Sequence, residues 1–387
     1  MRRILGLGLL AILSGGCDRP SGSTNATLGI ALPRTSNLAL IGQEQLAGVK
    51  IAEQMFNQQG GIDGKPIQFA YQDIGNDEAG AINAFQTLIS QSRVVGLVGP
   101  TTSQQAFSAA PIADRAGVPV ICPSTIANGI PQIGQYVSRV AASAEIVSPN
   151  AVKAALKLNP NLKRVAVFYA QDQDALVSET KFFQQAAKAQ GLQVLTVQRF
   201  QTTDTDFQTQ ATTALNLKPD LVIISGLVAD GGNLVKQLRE LGYKGLIIGG
   251  NGLNTANIFP VCQNFCDGIL IAQAYSPAEP GQMNAQFRKA YVDQFKKDPP
   301  QFSAQSFTAV QVFVEALRSL NQQTPISKLA LTKLRSQLNQ QLLKGKYDTP
   351  LGEISFTPEG ELIKKDFYVA QIKMQPGGKT GKFVFLP

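Results

Sequence analysis

The sequence predicts an α/β protein of two doubly wound, Rossmann-like lobes with a ligand cleft between them. Short apolar runs without polar alternation recur along the chain, among them TLGIALP, VVGLVG and DLVIISG. Helical patterns stand between these runs, and the alternation stops and restarts after Ser143, giving two series. Unalternating strands are buried on both faces, as in a parallel sheet flanked by helices. Open sheets of this kind lodge ligands beyond the carboxyl ends of their strands.

The first series opens with a strand over 27–33 and a helix over 43–57, whose apolar face carries Leu46, Val49 and Ala52 with Ile51 off it. QQGGIDGKP is a glycine turn. A strand over 67–73 and the helix EAGAINAFQTLISQ follow, then strand VVGLVG, helix SQQAFSAAPIADRAG and strand VPVIC. The second series predicts helices over 146–158, 178–190, 208–215 and 232–241. They alternate with strands over 164–170, 193–200, 220–226 and 245–250. The tail carries DGILIAQAY, helices over 281–297 and 303–320, and two segments, GEISFTPEGE and KDFYVAQIKM, expected to form a hairpin. With no third series, the tail completes the two lobes. The expected N-terminal lobe is 27–143 with 276–350, and the C-terminal lobe 144–275 with 351–387. Hinges are expected at 141–144, 274–277 and near 350–351.

At 387 residues, 44% hydrophobic and 16% charged, the chain has the composition of a globular protein with a sizeable core. Its formal charge of +8 is spread along the chain without a basic block, and nothing resembles a nucleic-acid module. The start, MRRILGLGLLAILSGGC, reads as a signal peptide over 1–16, because its apolar run is too short to span a bilayer. Cys17 after Ser-Gly-Gly resembles the bacterial lipobox cysteine that is lipidated, although Leu13 stands four residues before it rather than three. Residues 17–26 read as a tether that would leave the protein exported and anchored to the membrane by that lipid.

Export gives the remaining cysteines an oxidising setting. Cys262 and Cys266 are expected to close a small disulfide loop, with metal binding as the rival, and Cys122 is left as a free thiol. The chain has no histidine, which excludes Ser-His-Asp and Cys-His catalysis and any His-ligated zinc. It has neither a Walker loop nor GxGxxG. No enzyme activity, cofactor or metal is expected.

The most unusual stretch is 94–130, where VVGLVG and VPVIC each end in a proline beside hydroxyl residues, Thr101-Thr102-Ser103 and Ser124-Thr125. N-capping explains one such corner, but not two on adjacent strands. Here the chain resembles the type I periplasmic binding proteins of the branched-chain amino-acid transport class (leucine/isoleucine/valine-binding protein-like). GVKIAEQMFNQQGGIDGKPIQFAYQD, VVGLVGPTTSQQAFSAAPIADRAGVPVICPS, LVKQLRELGYKGLIIGGNGL and YDTPLGEISFTPEGELIKKDFYVAQIKM carry the resemblance in order, over about 27–373. It implies an extracytoplasmic solute-binding subunit of an ABC importer, with a small-molecule ligand and a membrane permease as partners. It also implies that Ser103, with Thr102 before it, holds the ligand's carboxylate, and that the Ser124 main-chain carbonyl faces its amine.

Several positions depart from the family. Ile126 stands where threonine is usual, so Thr125 becomes the candidate hydroxyl. Asn251 replaces the acid that pairs with an ammonium, and an amide cannot neutralise one. Asp174-Ala175-Leu176, Leu227 and Ile41 stand where aromatics are frequent, so the pocket is expected to be aliphatic. An amine's partner is then sought among Asp172, Asp174 and Asp230; otherwise the ligand is a 2-oxo acid or another small solute. A ligand-sensing receptor of the same fold is the alternative to a transporter subunit.

Overall fold

The computed structural model describes residues 26–387. The expected signal peptide, the lipidated Cys17 and most of the tether lie outside the described residues.

The first series gives strands β1 (Thr27–Leu32), β2 (Gln68–Asp73), β3 (Gly96–Val98), β4 (Val120–Cys122) and β5 (Val137–Arg139). Helices α1 (Ala39–Gln58), α2 (Glu78–Ser90) and α3 (Ser103–Arg115) connect them. The sheet is parallel, in the order β2-β1-β3-β4-β5. Its two faces divide the apolar residues of β1: Leu28, Ile30 and Leu32 pack beneath α1, while Ala31 faces Phe85 of α2 and Ala106 of α3.

The second series gives helices α4 (Ala144–Leu158), α5 (Asp174–Ala189), α6 (Gln208–Leu215), α7 (Val228–Glu240) and the single turn α8 (Phe259–Cys262). Its strands are β6 (Arg164–Ala170), β7 (Gln193–Phe200), β8 (Leu221–Ser225), β9 (Leu246–Gly249) and β10 (Leu270–Gln273). The tail adds α9 (Gln282–Phe295), α10 (Gln301–Gln323) and α11 (Leu331–Lys344). Strands β11 (Tyr347–Thr349), β12 (Gly352–Phe356), β13 (Leu362–Ile363), β14 (Tyr368–Met374) and β15 (Gly381–Phe385) end the chain. The second sheet runs β15-β14-β10-β9-β8-β6-β7, with parallel pairs except for those that β14 makes with β10 and β15. Along β6, Phe168 and Ala170 face one core and Val165 and Val167 the other.

The tail departs from expectation in two ways. GEISFTPEGE and KDFYVAQIKM do not pair: β12 pairs with β11 and β13, and β14 with β10 and β15. Leu351, Ile354, Phe356 and Leu362 pack into the core beneath β1, so the chain stays with the first sheet beyond the expected boundary at 350–351. It crosses to the second sheet between β13 and β14, over 364–367, and Pro350–Leu351 is not a crossing. The other two crossings, 140–143 and 274–281, overlap the expected hinges. Among elements the sequence left unassigned, α11 buries Leu334, Leu338 and Leu342 on one face.

Helix α10 closes the first core and packs hard on α1. A Cβ on Gly48 would lie 2.0 Å from the main-chain oxygen of Ser303, so only glycine permits the approach. Cys262 and Cys266 form a disulfide that closes a short loop beside β15. Cys122 is free and fully buried, and burial pushes its thiol up to about 12.

Candidate ligand cleft

Both proline-hydroxyl corners sit at the carboxyl ends of adjacent strands β3 and β4, facing the second sheet. At the first corner Thr102 is the N-cap of α3. Its hydroxyl accepts from the Gln105 amide at 3.3 Å, and the Gln105 side chain accepts from the Thr102 amide at 3.2 Å, a reciprocal capping box. Ser103, the first residue of α3, is fully buried, and its Oγ accepts from the Ala127 amide at 3.1 Å. That leaves the Ser103 hydroxyl hydrogen free to donate. The first intrahelical bond runs from Ala106 N to Thr102 O, so the Ser103 and Gln104 amides precede it. A hydroxyl donor and helix-start amides on one spot favour an anionic oxygen.

A closed ring of hydrogen bonds fixes the two corners. Thr101 Oγ1 donates to Gln45 Oε1 (2.5 Å), Gln45 Nε2 to Ser124 Oγ (2.9 Å), and Ser124 Oγ to Thr101 O (2.6 Å). The Ser124 hydroxyl is therefore fully used within the protein, although the residue lines the cleft. Gln45, on α1, was not anticipated; it lies in a polar run that reads as a solvated helix face.

Thr125 corrects an expectation. It is fully buried and does not line the cleft, and Ile126 forms the wall instead. The Thr125 and Ala127 carbonyls accept from Arg139 at 3.3 and 2.6 Å, and Arg139 also pairs with Glu361 through Nε at 2.7 Å. This clamp fixes the second corner from behind.

The cleft brings Ile41, Thr102, Ser103, Ser124, Leu227 and Asn251 together, with Leu38, Ile126, Leu176 and Phe302 completing an apolar surround. Its free space is about 40 Å³, room for roughly three waters. A solute the size of an amino acid enters only if the two sides part.

None of the three aspartates proposed as ammonium partners reaches the cleft. Asp174, the first residue of α5, is exposed, and its neighbours Gln173 and Ala175 line the space instead. Asp172 accepts from the Thr202 amide and hydroxyl at 3.0 and 2.6 Å. Asp230 is buried and caps α7 by accepting from the Leu227 amide at 3.0 Å; burial pushes its carboxyl up to about 6.

Asn251 opens the turn after β9. Gln301 uses its Oε1 to accept the Ala274 amide at 2.6 Å, so its Nε2 must donate to Asn251 Oδ1, at 3.0 Å. The amide oxygen of Asn251 thus already accepts one bond, and its NH2 remains as a donor. The Asn251 main-chain N–H donates to Glu179 Oε1 at 2.7 Å. Glu179 is buried with its second oxygen unpartnered, and desolvation pushes its carboxyl up to about 7. A Cβ on Gly250 would fall 2.0 Å from Glu179 Oε2, so the second glycine of GGN makes room for this acid. Sequence reasoning missed Glu179, which looks like an ordinary polar position of α5.

Residues 25–381 match the periplasmic binding protein family. The chain belongs to that family. Its members are substrate-binding proteins of ABC transporters and not enzymes, and the chain is similar to type I members of the branched-chain amino-acid class. Among similar proteins is Leu/Ile/Val-binding protein homolog 3 of Brucella melitensis, 23% identical over 351 residues, covering 88% of this chain and 89% of that one. Two solved structures share the fold. A branched-chain amino acid transporter substrate-binding protein of Streptococcus pneumoniae, in complex with isoleucine, aligns with TM-score 0.81 and 23% identity over 94% of this chain and 99% of that one. An ABC-transporter solute-binding protein of Rhodopseudomonas palustris, in complex with 3,4-dihydroxybenzoic acid, aligns with TM-score 0.79 and 22% identity over 93% and 96% of the two chains. Membership of this periplasmic family implies an extracytoplasmic location. Among the described residues no helix is long and apolar enough to cross a membrane, and no cluster of potential metal ligands occurs.

Proposed function

We propose that this protein binds a small, carboxylate-bearing, largely aliphatic solute for an ABC importer, with a neutral or branched-chain amino acid as the leading class. The observation that carries the reading is the buried Ser103 hydroxyl, with a hydrogen to donate, at the amino end of α3 and opposite aliphatic walls. A carboxylate takes the Ser103 hydroxyl and the first α3 amides, while Ile41, Ile126, Leu176 and Leu227 surround the body. The lobes, 26–139 with 282–363 and 144–273 with 368–387, turn about the three crossings and close on the solute. The closed form is presented to a membrane permease, and lipid on Cys17 tethers the protein to the membrane. The similar proteins bearing Leu/Ile/Val-binding names, and the neighbour that holds isoleucine, support the amino-acid class.

A second reading, an acid without an amine, has its own support. Asn251 offers a donor where an ammonium needs an acceptor, and a structural neighbour holds such an acid. Calorimetric titration of the purified protein with leucine, and separately with 4-methyl-2-oxopentanoate, decides between them. Tighter binding of leucine supports the first reading and tighter binding of the oxo acid the second. Binding of neither, nor of other amino acids, removes the carboxylate assignment.

A further inference from the structure

A second, half-open cavity of about 430 Å³ lies apart from the cleft between the corners and holds more than ten times its free space. It is built from both lobes. Asn254, Phe259 and Gln273 come from the second unit and Phe383 and Phe385 from its edge strand, while Arg288 and the segment 297–301 come from the first.

Its chemistry is specific. Asn254 and Gln273 are only 2% and 3% exposed, and the side-chain amide nitrogen of each is buried without a hydrogen-bond partner. Both nitrogens are shut off from the open space, so these two residues shape the wall and offer no donor to an occupant. The aromatic part is a tilted pair, Phe259 and Phe383, with centroids 5.5 Å apart, and Phe385 on the same strand. Arg288, Lys297 and Lys382 also line the space against a single carboxylate, Asp298, which Arg288 engages at 2.8 Å. The lining therefore holds an excess of positive charge.

We propose that this cavity is a second ligand site, selective for a small aromatic carboxylate: the ring lies among the phenylalanines, and the carboxylate pairs with the charges of Lys297 and Lys382. The site is coupled to the cleft. Gln301 lines the cavity and donates to Asn251 Oδ1 in the cleft wall, and an occupant touching both lobes sets the angle between them.

Benzoate is the probe, titrated into the full chain by calorimetry with and without saturating leucine. Binding with leucine present, weakened about tenfold by Lys297→Glu and by Lys382→Glu but unchanged by Ser103→Ala, is the expected result. Lys297 and Lys382 are both exposed, so neither variant threatens the fold. Displacement of benzoate by leucine, loss of benzoate binding in Ser103→Ala, indifference to Lys297→Glu, or no binding at millimolar benzoate would each overturn the proposal. If leucine itself does not bind, the Ser103→Ala and Lys297→Glu arms still decide, so this site and the cleft assignment fail separately.

Discussion

The two faces of the cleft are built on opposite plans. On the first lobe a closed hydrogen-bond ring fixes the two corners, and these leave the Thr102 and Ser103 hydroxyl hydrogens and the first α3 amides to donate into the cleft. On the second lobe the surface is aliphatic, and its polar element is an amide backed by a buried acid with an unpartnered oxygen. The difference teaches that one face meets a solute with fixed donors, as the proposed carboxylate site needs, while the other meets it with an aliphatic wall in front of a buried acid whose electrostatic cost pH can change.

The largest expected effect tests the face backed by the buried acid. Glu179 has its folded pKa raised, to about 7 from 4.5, so its stabilising contribution is complete below the unfolded value and is lost as pH rises through 7. Glu179→Gln keeps the acceptor for the Asn251 amide and removes the charge. Its stability relative to wild type should therefore improve by up to about 3 kcal/mol between pH 5 and pH 8. Parallel pH profiles of Tm for the two proteins would show instead that the acid is not desolvated as described.

Ser103→Ala tests the face with fixed donors. Loss of a hydroxyl donor to a charged oxygen removes about 1.5–3 kcal/mol, so the carboxylate ligand should bind roughly ten- to hundredfold more weakly; stability should also fall by about 1–3 kcal/mol, because the buried Ala127 amide loses its acceptor. Unchanged affinity in calorimetry would place the carboxylate elsewhere. Gln45→Leu, which opens the ring without touching the cleft surface, leaves the Thr101 and Ser124 hydroxyls short of a partner. It should cost about 1–2 kcal/mol of stability, read as a lower denaturant midpoint, with a smaller loss of affinity. An affinity loss as large as that of Ser103→Ala would mean that Gln45 contacts the solute.

The smallest effect joins the two faces. Glu44 on α1 accepts from Thr255 Oγ1 at 2.6 Å and from Asn257 Nδ2 at 3.2 Å across the lobes, and burial pushes its carboxyl up to about 7 against the partial relief of Lys297. Closure then favours the protonated form, so ligand affinity should rise several-fold as pH falls from 8 to 6, and Glu44→Gln should flatten that slope. A pH-independent wild-type affinity would sink the idea.

How much of this was legible follows from which residues resemble their surroundings. The corners stood out because hydroxyls interrupt apolar strands, and the strands did because both faces of a parallel sheet are buried. Glu44, Gln45 and Glu179 did not, since on a helix a buried polar residue is indistinguishable from a solvated one until the partner surface is known; here α10 and the opposite lobe bury them. Thr125 and Ile126 were exchanged because a one-residue difference in a loop has no periodicity to fix it. The tail was misread for a related reason. Two strand-like segments separated by a short gap suggest a hairpin, yet β12 and β14 belong to different sheets and the gap between them is the third crossing.

The close seat of α1 against α10, with Gly48 on the Ser303 carbonyl, has a consequence for how the molecule is made. The ribosome delivers α1 first, but the surface it packs on is encoded more than 240 residues later. Throughout elongation the first lobe keeps an uncovered apolar flank, whereas α4–α8 and β6–β10 already hold most of the second lobe's interior. The lobe begun first therefore stays open while most of the second is made, and is closed only when the tail arrives, just ahead of the two edge strands that finish the second sheet.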